Sequence, residues 1–288
     1  MKIGSNEVFD CIEVAFDIRK AVFVLLGAAA AFAGALLLLW LGSASGNSAL
    51  SLAAQLAAAL YFYLIIVAVC GGTSIMAYKE LTTGEKISVK DALDFSKKNF
   101  LSLVLSPVIW LAAPALVLLA EYVIFMTGKF AAGQIVLSLL TVPVMLLNAF
   151  ILLFLLFGAL LLFEIITVDG ASPLASVNKL FALTRKASLQ VLMYLIPVLI
   201  VGSFAAAAAF GVFLGANILS LALLGTASGL FAEMAAVEVP AFSPAAQMSW
   251  SIFSFFVSVI SGLILAGLFV FLKASNIAIY LSVKERIK

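Results

Sequence analysis

The stretch from Lys79 to Phe100, KELTTGEKISVKDALDFSKKNF, lies between two apolar runs, each long enough to cross a lipid bilayer. It constrains the fold more than any other part of the chain. It holds five of the sixteen basic residues and four of the fourteen acidic ones, and charged side chains are costly in hydrocarbon, so it must lie at or beyond a membrane surface. A second charged segment, Glu164 to Lys186, separates the next pair of apolar runs and repeats the plan: glycine turn, helix cap, short amphipathic helix, basic residues, membrane. The rest of the chain fits this reading. Hydrophobic residues make up 65% and charged residues 10% of the sequence, whereas roughly a quarter of the residues of a soluble domain are charged. The mean hydropathy is +1.27.

The expected fold is therefore all-α, a polytopic membrane helical bundle in one domain. Six transmembrane spans are predicted at about 21–42, 50–78, 101–127, 135–163, 189–214 and 250–272. An uncharged run of about 20 residues spans the ~30 Å hydrocarbon layer at ~1.5 Å per residue. Residues 1–20 read as a cytoplasmic interfacial helix, with Glu7, Asp10, Glu13 and Asp17 on one face and Phe9, Ile12 and Phe16 on the other. The segment 216–239 contains Gly225, Gly229, Glu233 and Glu238. It is expected to be re-entrant or interfacial rather than spanning. Six crossings put the connectors 1–20, 79–100, 164–186 and 273–288 on one side, with fifteen of the sixteen basic residues and only Lys129 opposite. Positive charge is retained on the cytoplasmic side during insertion, so both termini are predicted to be cytoplasmic.

Within the connectors, local signals are legible. Ser88 with Asp91 three residues on resembles a capping box. After it Val89, Ala92, Leu93, Ser96 and Phe100 share one face and Lys90, Asp94, Lys97 and Lys98 the other, with Asp94 and Lys98 in the favourable i,i+4 order. That helix is expected to lie on the membrane surface. In the second connector Ser172-Pro173 sets a helix start, with Leu174, Val177 and Phe181 on its apolar side. Residues 274–288 read as a short amphipathic tail.

Few residues offer chemistry. Histidine is absent, which removes the commonest general base and metal ligand. The two cysteines, Cys11 and Cys70, lie far apart in sequence and character, and neither a disulfide nor a cysteine metal site is expected. No catalytic or nucleotide-binding motif occurs, so no catalytic residue, cofactor or nucleic-acid partner is predicted. Polar groups in or near hydrocarbon are functional candidates: Glu121, Asn148, Glu164 and Lys273. The last two fall at the cytoplasmic boundary, where an ion pair or snorkelling is expected. Pro107, Pro143 and Pro197 are candidate helix breaks. Ser251, Ser254, Ser258 and Ser261 recur on one face of the last span as a candidate packing seam.

The span end Phe163-Glu164, the Gly170 to Leu174 turn GASPL and the helix end Leu183 to Lys186, LTRK, together with the span that follows, resemble a group of prokaryotic six-helix membrane proteins. The group is related to the membrane domain of some glycerophosphodiester phosphodiesterases. The resemblance implies a multi-pass protein of a prokaryotic inner or plasma membrane. The phosphodiesterase barrel and its metal ligands have no counterpart in this chain. The expected role is accordingly a non-enzymatic accessory or scaffold subunit, in contact with membrane lipids and a membrane or cytoplasmic protein partner. The alternative is a small-molecule or lipid transporter that uses the proline-broken helices.

Overall fold

The computed structural model describes residues 5–126, 131–228 and 244–284, and among these every regular element is an α-helix. In chain order they are α1 (Ser5–Ala15), α2 (Ile18–Ala44), α3 (Ser48–Thr83), α4 (Val89–Lys98), α5 (Phe100–Phe125), α6 (Ala131–Asp169), α7 (Pro173–Ser228) and α8 (Pro244–Val283). Six of them, α2, α3, α5, α6, α7 and α8, contain stretches long and apolar enough to cross a membrane. The chain is a helical, multi-pass membrane protein by this measure. Large apolar side chains such as Leu36, Trp40, Leu56, Leu116 and Leu152 lie exposed along these helices, as lipid-facing residues must.

The helices run well past the predicted spans, because the amphipathic connectors continue the spans as unbroken helix. At ~1.5 Å per residue the 36 residues of α3 extend about 54 Å, and the 40 of α8 about 60 Å, against ~30 Å of hydrocarbon. Part of the surplus lies at the far end of the bundle, where α7 runs on to Ser228, and the rest at the end that carries the charged connectors. There the C-terminal parts of α3, α6 and α8 and the N-terminal part of α7 meet α1 around the largest buried cluster. Phe157, Leu161, Ile165, Leu180, Leu183, Ile277, Ile279 and Tyr280 are almost fully buried there. The described part of the predicted amphipathic tail continues α8 and joins this core: Ala274, Ile277, Ala278, Tyr280 and Val283 are all buried, and residues 285–288 lie outside the described residues.

Three other expectations shift. Helix α1 is not simply interfacial, since it packs on α8 through buried Cys11 and Val14. Asp17 leaves its acidic face to become the N-cap of α2, accepting a bond from the Arg19 backbone N–H at 3.0 Å. At the start of α7, Leu174 and Phe181 are exposed while Ser176, Val177, Leu180, Leu183 and Thr184 are buried. Ser176 and Thr184 hide their polarity by donating to the carbonyls of Ser172 and Leu180, four residues back, each at 2.9 Å, which frees them for an apolar interface. Hydrophobicity alone therefore misreads which face is inside.

The prolines do not break their helices. Pro107 and Pro114 lie inside α5, Pro143 inside α6 and Pro197 inside α7. A proline removes one ladder hydrogen bond, which neighbouring helix and side-chain groups can offset in a membrane helix. Likewise α7 continues through Gly215 to Ser228 with no boundary at residue 214. Residues 229–239 of the predicted re-entrant segment lie outside the described residues.

The turns follow their local chemistry. Gly84 and Gly170 adopt φ of +70° and +58°, the left-handed region where a side chain is strained, and they close α3 and follow α6. Ser88 and Asp91 form the full capping box: Asp91 N–H donates to Ser88 Oγ, and Ser88 N–H to Asp91 Oδ2, each at 3.2 Å. The exchange holds the Asp91 carboxyl below the usual carboxylate range, chiefly through the Ser88 hydroxyl hydrogen bond and then its N–H.

Candidate functional site

Three carboxylates at the crowded end of the bundle are each neutralised by lysine. Glu164, in the continuous helix α6 and completely buried, accepts from Lys273 Nζ of α8 at 2.9 Å and, more weakly, from Ser74 Oγ of α3 at 3.4 Å. Three helices distant in sequence are thereby tied at one point. The ammonium of Lys273 also lies over the rings of Phe163 and Phe269, 4.8 and 5.7 Å from their centroids, where the ring quadrupole favours a cation. The second oxygen of Glu164 has no protein hydrogen-bond partner.

The second cluster is built on Asp169, the last residue of α6. Its Oδ2 accepts from Lys179 Nζ of α7 and from the Tyr280 hydroxyl of α8, both at 2.6 Å, and Lys284 pairs with Oδ1. In the third, Lys20 at the start of α2 is 1% exposed. Its Nζ donates to the Val14 carbonyl at 3.0 Å, pairs with Glu80 of α3, and lies 3.7 Å from Asp17 Oδ2. Lys86 reaches the other Glu80 oxygen at 3.7 Å. A buried charge is tolerable when it is paired and hydrogen-bonded, so these contacts dictate which helix ends can meet.

Of the four polar residues singled out in the sequence, the structure joins Glu164 with Lys273 and, separately, Glu121 with Asn148. Glu121 of α5 is buried, and one of its oxygens accepts from Asn148 Nδ2 of α6 at 3.1 Å while the other has no protein partner. Pro107 is buried, whereas Pro143 and Pro197 are exposed. In the serine series, Ser258 is exposed and Ser261 half-buried, and the side chains of Ser251 and Ser254 lie outside the described residues.

Sequence reading missed Lys20, Glu80, Asp169, Lys179, Tyr280 and Lys284. One signal was present: Tyr280 and Lys284 are four apart on a helix and therefore share a face. Nothing in the sequence pairs that face with Asp169, 111 residues away.

Close helix approach sets the remaining geometry. The Cys70 to Ser74 run of α3 is buried, and a Cβ at Gly71 or Gly72 would come within 2.7 Å of Leu103 or 2.8 Å of Phe23. Trp110 of α5 packs against Gly158 of α6, where a Cβ would come within 2.0 Å of its Nε1, and that nitrogen donates to the Phe154 carbonyl at 3.2 Å. Helix α4 folds back along α3 rather than lying free on the membrane. Ala92 and Ser96 are buried against it, and Ser96 Oγ donates to the Ala68 carbonyl at 3.0 Å. The outward side of α4 presents Val89, Lys90, Asp91, Leu93, Asp94, Lys97 and Lys98, with Lys97 3.9 Å from Asp94 in place of the expected Asp94–Lys98 pair. Among the described residues no cluster of three or more His, Cys, Asp or Glu has the arrangement of a metal site. No protein-family model, curated protein or solved structure matches the chain significantly.

Proposed function

We propose that this chain is a non-enzymatic accessory or scaffold subunit of a prokaryotic inner membrane, with both termini and the ion-paired end of the bundle in the cytoplasm. The observation that carries the reading is α4, a ten-residue helix clamped to α3 by its small residues while Val89, Leu93 and a mixed set of three lysines and two aspartates point away. A helix packed on one side and bearing exposed apolar and charged residues on the other is the form of a groove-binding or helix-binding surface. The three ion-paired clusters support the reading, since they fasten the helix ends behind α4 into one platform. The orientation rests on the sorting of fifteen of the sixteen basic residues to this side. Kinship with the six-helix group related to the phosphodiesterase membrane domain belongs to the same proposal and rests on residues 163–164, 170–174 and 183–186.

The test is site-specific photocrosslinking in native membranes. A crosslinker at Leu93 is expected to give one discrete protein adduct that Lys97→Glu with Lys98→Glu abolishes. The same crosslinker at Leu36, in the exposed wall of α2, is expected to give none. Equal yields at the two positions, or an adduct indifferent to the charge reversal, would refute the scaffold role. One observation favours the transport reading: the buried Glu121 carboxylate with one oxygen unpaired by protein. Uptake by vesicles that Glu121→Gln eliminates, with the fold intact, would establish that reading instead.

A further inference from the structure

Glu121 departs from a rule that the other buried acids of this chain obey. Among the described residues Asp17, Glu80, Glu164 and Asp169 have side chains at least nine-tenths buried, and each is paired with a lysine ammonium. Glu121 is 8% exposed, and among the described residues no lysine or arginine pairs with it. Its Oε2 accepts from the uncharged Asn148 amide at 3.1 Å, while its Oε1, shut off from solvent, has no hydrogen-bond partner.

The surroundings are apolar on both sides along the membrane normal. Asn148 lies near the middle of the uncharged run from Ile135 to Phe163. Leu119 and Val123 flank Glu121 on α5, Met145 and Leu152 flank Asn148 on α6, and all four are exposed as lipid-facing residues are. The helices packed on α5 are α3, α4, α6 and α7. None of their described titratable groups has an ion pair or hydrogen bond with Glu121. The acids of α6 itself, Glu164 and Asp169, lie about 24 and 32 Å along the helix from Asn148 at ~1.5 Å per residue. Tyr122, the chain neighbour of Glu121, is exposed.

A lone carboxylate in hydrocarbon is costly, and one neutral amide does not offset it. Its charge has to be cancelled by a bound cation. A metal ion takes several oxygen ligands, whereas the groups at hand are one carboxyl and one amide, and the free oxygen is enclosed. A proton needs a single lone pair and adds almost no volume.

We infer that Glu121 is a proton-binding site: in the closed structure it is the neutral acid, with the proton on Oε1 and the Asn148 amide donating to Oε2. The acid O–H left without an acceptor costs far less in hydrocarbon than an unpaired charge. Release of the proton requires water to reach Oε1, so protonation is tied to separation of α5 from α6 at this level. The assignment needs neither the scaffold nor the transport reading, since it concerns only what the closed site holds.

The experiment reconstitutes the full chain in phosphatidylcholine vesicles at neutral pH and adds dicyclohexylcarbodiimide, which partitions into hydrocarbon. A carboxylic acid adds across one of its C=N bonds: the carboxyl oxygen bonds to carbon, the acid proton moves to nitrogen, and the O-acylisourea rearranges to an N-acylurea of the same mass. Peptide mass spectrometry is expected to find the adduct on Glu121 at least tenfold above that on Glu85 and Asp94, both exposed to water. A charged, water-soluble carbodiimide is expected to reverse that order. Replacing choline chloride by sodium chloride is expected to leave the Glu121 yield unchanged. The comparison is made in the unsubstituted chain and needs no variant to fold; where Glu121→Gln accumulates, it is expected to remove an infrared carboxylic-acid C=O band. An adduct on Glu121 no greater than that on Glu85 overturns the proton site, and suppression by sodium overturns it in favour of a metal cation. Uptake without the adduct would leave the transport reading standing and take the proton out of it, and the adduct without uptake would do the reverse.

Discussion

Removing one half of the Glu164–Lys273 pair should harm the protein more than removing both. At 2.9 Å the Coulomb attraction of two unit charges is about 6 kcal/mol at an effective dielectric of about 20, and it works against the cost of taking both ions out of water. Glu164 and Lys273 are 0% and 5% exposed, so neither can turn to solvent once its partner is gone. Lys273→Met leaves a carboxylate with only Ser74 for company, and Glu164→Leu leaves an ammonium between Phe163 and Phe269. Each single substitution is expected to cost about 3–5 kcal/mol, as for a buried pair broken on one side. The double substitution should cost less than either single one, because two apolar side chains fill the space without a stranded charge. The assay is unfolding of all four proteins in the same detergent or bilayer, read as a double-mutant cycle. Single costs below about 0.5 kcal/mol, or two costs that simply add, would show that the pair does not hold α6 and α8 together.

Smaller perturbations probe the other contacts. Tyr280→Phe deletes the hydroxyl that donates to Asp169 at 2.6 Å and should lower stability by about 1.5–3 kcal/mol, the value of a hydrogen bond to a charged group, measured in the same unfolding assay. Gly170→Ala should cost about 1–2 kcal/mol by forcing a side chain into positive φ, whereas Gly267→Ala, with open space at its Cβ, should be close to neutral. Gly158→Ala should displace Trp110, seen as a shift in its fluorescence. The folded-state pKa of Asp91 is depressed, so its contribution to α4 is present above the unfolded carboxyl value of about 3.9 and is lost as pH falls through the lower folded value. Amide exchange in α4 should accelerate over that acid range, and in Asp91→Asn the acceleration should disappear. For topology, cysteines placed at Lys90 and Ser45 should react with an impermeant maleimide from opposite sides of the membrane. Labelling from the same side would undo the orientation on which the cytoplasmic platform depends.

The sequence by itself settled what is local. Apolar runs of sufficient length between charged connectors determine that helices cross a membrane, because hydrocarbon tolerates neither charge nor unpaired backbone. Ser88 with Asp91, and Pro173 at the start of α7, announce helix starts through contacts spanning only a few residues. Helix ends were less legible, since α3, α6, α7 and α8 continue past the hydrophobic runs with polar residues that their own carbonyls or distant lysines satisfy. Glu164 and Lys273 could be named as charges at a boundary, but their mutual contact depends on α6 and α8 packing side by side. The partners of Lys20, Asp169 and Tyr280 carry no local signature at all: a carboxylate reads the same in sequence whether water or a lysine 109 residues away answers it, as for Glu164. Which face of α7 is buried, and that residues 274–283 join the core, follow only from the tertiary packing. There shape and long-range charge pairing decide among helix faces that composition leaves nearly equivalent.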